Sequence, residues 1–128
     1  MREQPNRGLT SCAAALGSLG IAAAAFGAHG LEKVTDGAGL RLWAIAAAIQ
    51  LVTAPVLLAL SQREDVRLLA SSFLILGVVL FSGTLYAMAL GAPRFLGAVT
   101  PLGGLCLIVG WLLVAIPRKR LSDSAEKG

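Results

Sequence analysis

Four apolar runs separated by short polar links organise the chain. They extend from Gly8 to Ala28, Leu42 to Leu60, Leu68 to Leu90 and Phe95 to Ile116, and none contains Asp, Glu, Lys or Arg. Each is close to the roughly 20 residues a helix needs to cross about 30 Å of hydrocarbon. Backbone groups in lipid have only one another as partners, so each run is predicted to be a transmembrane helix. The links, Gly30 to Arg41, Ser61 to Arg67 and Gly91 to Arg94, are short enough to make successive helices antiparallel. The expected fold is an all-α membrane protein with four transmembrane helices in an up-down-up-down bundle. It would occupy residues 1–117, with a basic and polar tail at 118–128.

Composition excludes a soluble alternative. The 128 residues are 56% hydrophobic and 14% charged, with a mean hydropathy of +0.78. Soluble domains carry about 25% charge, and a fold this small has too little interior for so much apolar surface. The net charge of +4 does not point to nucleic acid, because the cations lie between and outside the apolar runs. Their distribution bears on topology instead. Arg2, Arg7, Arg63, Arg67, Arg118, Lys119, Arg120 and Lys127 fall on one side, and Lys33, Arg41 and Arg94 on the other. The positive-inside rule then places both termini in the cytoplasm of a bacterial cell, with the chain a multi-pass protein of its cytoplasmic (inner) membrane. The first run has a basic start, but it is longer than a signal-peptide core and is read as a retained helix.

Few residues are candidates for chemistry. Cys12 and Cys106 lie at different depths, separated by roughly 8 Å at 1.5 Å rise per residue, and are expected to be unpaired packing residues. There is one histidine and no Cys-x-x-Cys, so neither a metal site nor a cofactor is expected. "DGAG" at Asp36 to Gly39 reads as a turn without the features of a phosphate loop. A catalytic triad needs a nucleophile, a base and an orienting group; no membrane-embedded acid could orient His29, so an enzyme is not expected.

Small residues mark candidate packing faces. Ala13, Gly17, Gly20, Ala24 and Gly27 recur at helical spacing in the first run, and Gly83, Ala87 and Gly91 do so around the end of the third. Gly103 and Gly104 follow Pro101 in the fourth. Such faces let helix backbones approach closely in lipid, within one chain or against a partner. The "TPLGG" stretch, Thr100 to Gly104, also reads as bendable, and Pro55 is expected to bend the second helix, with Gln50 and Thr53 near the carbonyl of Leu51 that it frees. Trp43 and Trp111 sit where interfacial anchors are expected. Depth along antiparallel helices brings His29, Ser82, Thr84, Tyr86 and Thr100 into the outer half of the bundle, with Gln50 just below, as a candidate polar cluster or solute contact.

The stretches "FGAHGL" (Phe26 to Leu31), "LFSGTLYAMAL" (Leu80 to Leu90) and "TPLGGLCLIVGWLLVA" (Thr100 to Ala115) together resemble the family called domain of unknown function 423, which takes in the bacterial YgdD proteins and the eukaryotic transmembrane protein 256. The resemblance covers roughly Gly8 to Ala115. It implies a small membrane protein of about four helices and no established activity. Members tend to carry a Tyr-Gln pair and then a His in the second helix. Here Ile49 replaces the Tyr, Gln50 is kept, and Thr53 stands where the His is expected, so any proton or metal chemistry of that His is missing.

Two functional readings follow. One is a non-catalytic accessory or structural subunit of a membrane complex, in contact with lipid and with a membrane-protein partner or further copies of itself. The alternative is a small-solute transporter or channel acting as an oligomer, with the polar cluster in its path.

Overall fold

The computed structural model describes residues 4–63 and 68–116. The cations Arg2, Arg67, Arg118, Lys119, Arg120 and Lys127, and the tail at 118–128, lie outside the described residues. Four helices are long and apolar enough to cross a membrane. Among the described residues they are α1 (Arg7–His29), α2 (Gly37–Ser61), α3 (Leu68–Ala89) and α4 (Thr100–Ala115), the last reaching that length together with the 3₁₀ segment at Arg94–Ala98 that precedes it. The described residues contain no β-strand.

The helix starts follow local chemistry. The Asn6 side chain caps α1 by accepting from the Leu9 N–H at 3.1 Å, and Asp36 caps α2 by accepting from the Gly39 N–H at 2.8 Å. Such caps satisfy amide donors that a helix leaves free at its first turn. "DGAG" is therefore not a turn. It is the capped start of α2, which begins five residues before the apolar run. Pro101 lies in the first turn of α4, where its missing N–H costs nothing. It thus begins a helix, and "TPLGG" is not a break within one. α2 continues through Pro55 to Ser61. Neither expected neighbour serves the Leu51 carbonyl: Thr53 Oγ1 donates to Ile49 O and Gln50 Nε2 to Leu16 O, both at 2.8 Å.

Successive helices pack antiparallel in chain order. Between α1 and α2, Ala23 meets Trp43, Leu16 meets Gln50 and Thr10 meets Ser61. Between α3 and α4, Thr84 meets Thr100 and Gly77 lies beside Leu107. Among the described residues no Cα of α4 comes within 8 Å of α1 or α2, so the up-and-down order forms an open row with α1 and α4 at its edges. The central helices bury Leu57, Leu60, Ala70, Leu74 and Val78, joined by Leu9 and Ala13 from α1 and Leu107 from α4. Cys12 and Cys106 are both free and half-buried.

Candidate functional site

Gln50, buried near the middle of α2, hydrogen-bonds to two neighbouring helices. Its Nε2 donates to the Leu16 carbonyl of α1 at 2.8 Å. Its Oε1 accepts from the Tyr86 hydroxyl of α3 at 2.9 Å. One amide thus joins three helices. Nearby, Ser82 Oγ donates from α3 to the Ala46 carbonyl of α2 at 2.8 Å, fully buried.

An aromatic cluster lies one to two turns beyond Gln50. Trp43 Nε1 donates to the Ala23 carbonyl at 2.7 Å. Its ring meets Phe26 and Tyr86 edge-on, with centroids 5.6 Å and 4.5 Å away. Gly27 makes room for this: a Cβ there would fall 2.7 Å from Trp43 Cδ1. Trp43, expected only as an interfacial anchor, is half-buried and ties α1 to α2.

A second polar pair stands between α3 and α4. Thr84 and Thr100 share a hydrogen bond of 2.7 Å between their hydroxyls, and Thr84 also reaches the Leu80 carbonyl. Of the residues expected in one cluster, the structure therefore joins Gln50, Tyr86 and Ser82 at the α1–α2–α3 contact, and Thr84 with Thr100 at the α3–α4 contact. His29 belongs to neither group. It is the last residue of α1, is exposed, and its imidazole has no hydrogen bond among the described residues.

Glycines set the helix separations. A Cβ on Gly20 would lie 2.8 Å from Leu51 Cδ2, whereas one on Gly17 would meet Ala54 at an ordinary 3.6 Å. Gly103 sits directly against the backbone of Phe81 and Leu80, while Gly104 only borders the Phe81 ring at 3.6 Å. The Gly83 face is open, with nothing within 4 Å of a Cβ there, and Ala87 is half-buried. Gly91 lies beyond α3 in a turn with φ of +96°, a conformation that favours glycine.

Sequence reading missed two sets of residues. Gly77 and Gly110 pack against Leu107 and Leu74, and the seven-residue spacing of Gly103 and Gly110 was the available signal. At the far end of the row, Thr10 Oγ1 donates to Ser61 Oγ at 3.0 Å and the Asn6 N–H to the Ser61 carbonyl at 3.0 Å, tying the start of α1 to the end of α2. Asn6 just before an apolar run was a legible cap, but its contact with Ser61 had no local signal. Chemically these groups are neutral donors and acceptors engaged between helices, and among the described residues no group of three or more His, Cys, Asp or Glu could hold a metal.

The sequence model of the family described as "Protein of unknown function (DUF423)" matches residues 23–104. The chain is 39% identical over 116 residues to the UPF0382 inner membrane protein YgdD of Escherichia coli, covering 85% of this chain and 87% of the relative. It is 37% identical over 102 residues to a UPF0382 membrane protein of Staphylococcus saprophyticus, covering 77% and 85%. It is 32% identical over 104 residues to the UPF0382 membrane protein YwdK of Bacillus subtilis, with the same coverage of 77% and 85%. No solved structure matches the chain. With its four membrane-length helices, the chain belongs to the DUF423 family of proteins of unknown function and is a small multi-pass protein of the cytoplasmic (inner) membrane.

Proposed function

We propose that the protein is a non-catalytic subunit that holds another transmembrane segment against α1. The supporting observation is the surface α1 leaves outside the row. Ala14, Ser18, Ala22 and Ala25 are exposed at three- and four-residue spacing, and Ser18 returns its hydroxyl to the Ala14 carbonyl at 2.8 Å. Most exposed positions on α3 and α4 are bulky by contrast, Leu69, Leu76 and Val79 beside the small Ser72 and Gly83 on one and Leu105, Ile108 and Leu112 on the other, while on α1 the bulky Leu19 and Ile21 flank the small strip. Lipid chains fill the surface of bulky side chains well, whereas a strip of small residues suits close approach by a second helix. The engagement of Gln50, Ser82, Thr84, Tyr86 and Thr100 between helices also favours a structural role over a solute path. In this reading both termini are cytoplasmic, as the cation distribution suggests, and the tail at 118–128 lies on that side.

The test is photo-crosslinking in native membranes, with a photoreactive residue at Ala22 and, as a control, at Leu76. A discrete protein adduct from Ala22 and none from Leu76 is expected. Lipid adducts alone at both positions would refute the reading. Adducts only to further copies of this chain, together with solute flux in reconstituted liposomes, would favour an oligomeric transporter.

A further inference from the structure

Helices α2 and α4 both pack on α3, no Cα of one lies within 8 Å of the other among the described residues, and the space between them is a groove in two parts. The first, about 580 Å³, lies between Ile49 and Val52 of α2 and Ile108 of α4, with Phe81 of α3 among its walls. The second, about 380 Å³, runs past Pro55 and Ala59 to Arg63. The Trp111 side chain borders both. The Thr53 hydroxyl on the first wall is turned to the Ile49 carbonyl, so the groove is apolar along its length and cationic at one end.

We propose that this groove binds one acidic phospholipid, with an acyl chain along α2 and the phosphate against Arg63. Three observations carry it. The first is length. From Ile49 to Arg63 is ~21 Å at 1.5 Å per residue, and half of a bilayer about 40–45 Å thick with its headgroups is the same. The second is charge. Among the described residues Arg63 is the only charged one lining either part; it is exposed and has no ion pair there. Trp111, which lines the same part of the groove, supplies the amphipathic ring favoured toward headgroup depth. The third is wall shape. Ile49, Val52, Ile108 and Leu112 keep a second helix backbone away, whereas a flexible acyl chain adapts to branched walls.

The experiment is native mass spectrometry of the purified full chain, delipidated and then offered phosphatidylglycerol and phosphatidylcholine with identical acyl chains. Wild type is expected to retain one phosphatidylglycerol about fivefold more than phosphatidylcholine, the scale of one basic residue at an anionic lipid. Arg63→Gln should bring the two lipids to parity, and Arg63→Lys should restore the preference. Ala59→Trp, which fills the second part of the groove, should lower retention of both lipids. Arg63 is exposed, so its variants decide the question even if Ala59→Trp does not fold. Equal retention of the two lipids by wild type, or a preference that survives Arg63→Gln, would overturn the proposal. So would a folded Ala59→Trp that binds like wild type, which would reduce the effect to surface charge, or a stable dimer with α2 and α4 at its interface.

Discussion

Replacing Gln50 by Met keeps a similar volume and removes the amide. The structure assigns that amide two interhelical hydrogen bonds, to Leu16 O and from Tyr86 Oη, at 2.8 and 2.9 Å. Interhelical hydrogen bonds in membranes average about 0.6 kcal/mol and reach about 1.7 kcal/mol at most. Gln50→Met should therefore destabilise by about 1.2 kcal/mol, with some addition for leaving the Tyr86 hydroxyl unpaired. Tyr86→Phe removes only the shared bond and should cost about 0.6 kcal/mol. The double variant should cost no more than Gln50→Met alone, because the bond from Tyr86 is already gone. The coupling is then about 0.6 kcal/mol, measurable as a double-mutant cycle. SDS-driven unfolding in mixed micelles is a suitable assay, followed by the fluorescence of Trp43, whose ring lies 4.5 Å from that of Tyr86. Strictly additive costs, or a neutral Gln50→Met, would refute the view that this amide locks three helices and would reopen Gln50 and Tyr86 as solute contacts.

Three further outcomes are expected. Gly103→Ala forces a methyl onto the Phe81 and Leu80 backbone and should cost about 1–3 kcal/mol in the same unfolding assay, whereas Gly104→Ala, with 3.6 Å of clearance, should be neutral or stabilising by up to about 1 kcal/mol. His29→Ala removes an exposed imidazole with no partner among the described residues, and should change stability by less than about 0.5 kcal/mol and leave any Ala22 crosslink intact. Cysteines introduced at Val34 and Gln62, both exposed, should react with an impermeant maleimide from opposite sides of the membrane, Val34 from outside. Labelling of Gln62 from outside would invert the proposed topology.

The amino-acid sequence by itself determined the medium and the number of spans. Charge-free apolar length is a local, additive property, and lipid leaves the backbone no alternative to helix. The 3₁₀ entry to α4 and the early start of α2 were less legible, because they depend on Pro101 and on one cap from Asp36. Only the tertiary structure decided which polar side chains meet. Ser82 and Thr84 differ little in depth, but two residues of helix turn a side chain through about 200°. Ser82 therefore faces Ala46 on α2, while Thr84 faces Thr100 on α4. Rise along a helix gives depth, and the direction that matters depends on which neighbour comes close. That choice rests on a few glycines, Gly20 against Leu51 and Gly77, Gly103 and Gly110 between α3 and α4. Gly83 has the same local appearance and faces open space. The open row is likewise a tertiary outcome: short links make neighbours antiparallel, but they do not bring α4 back to α1.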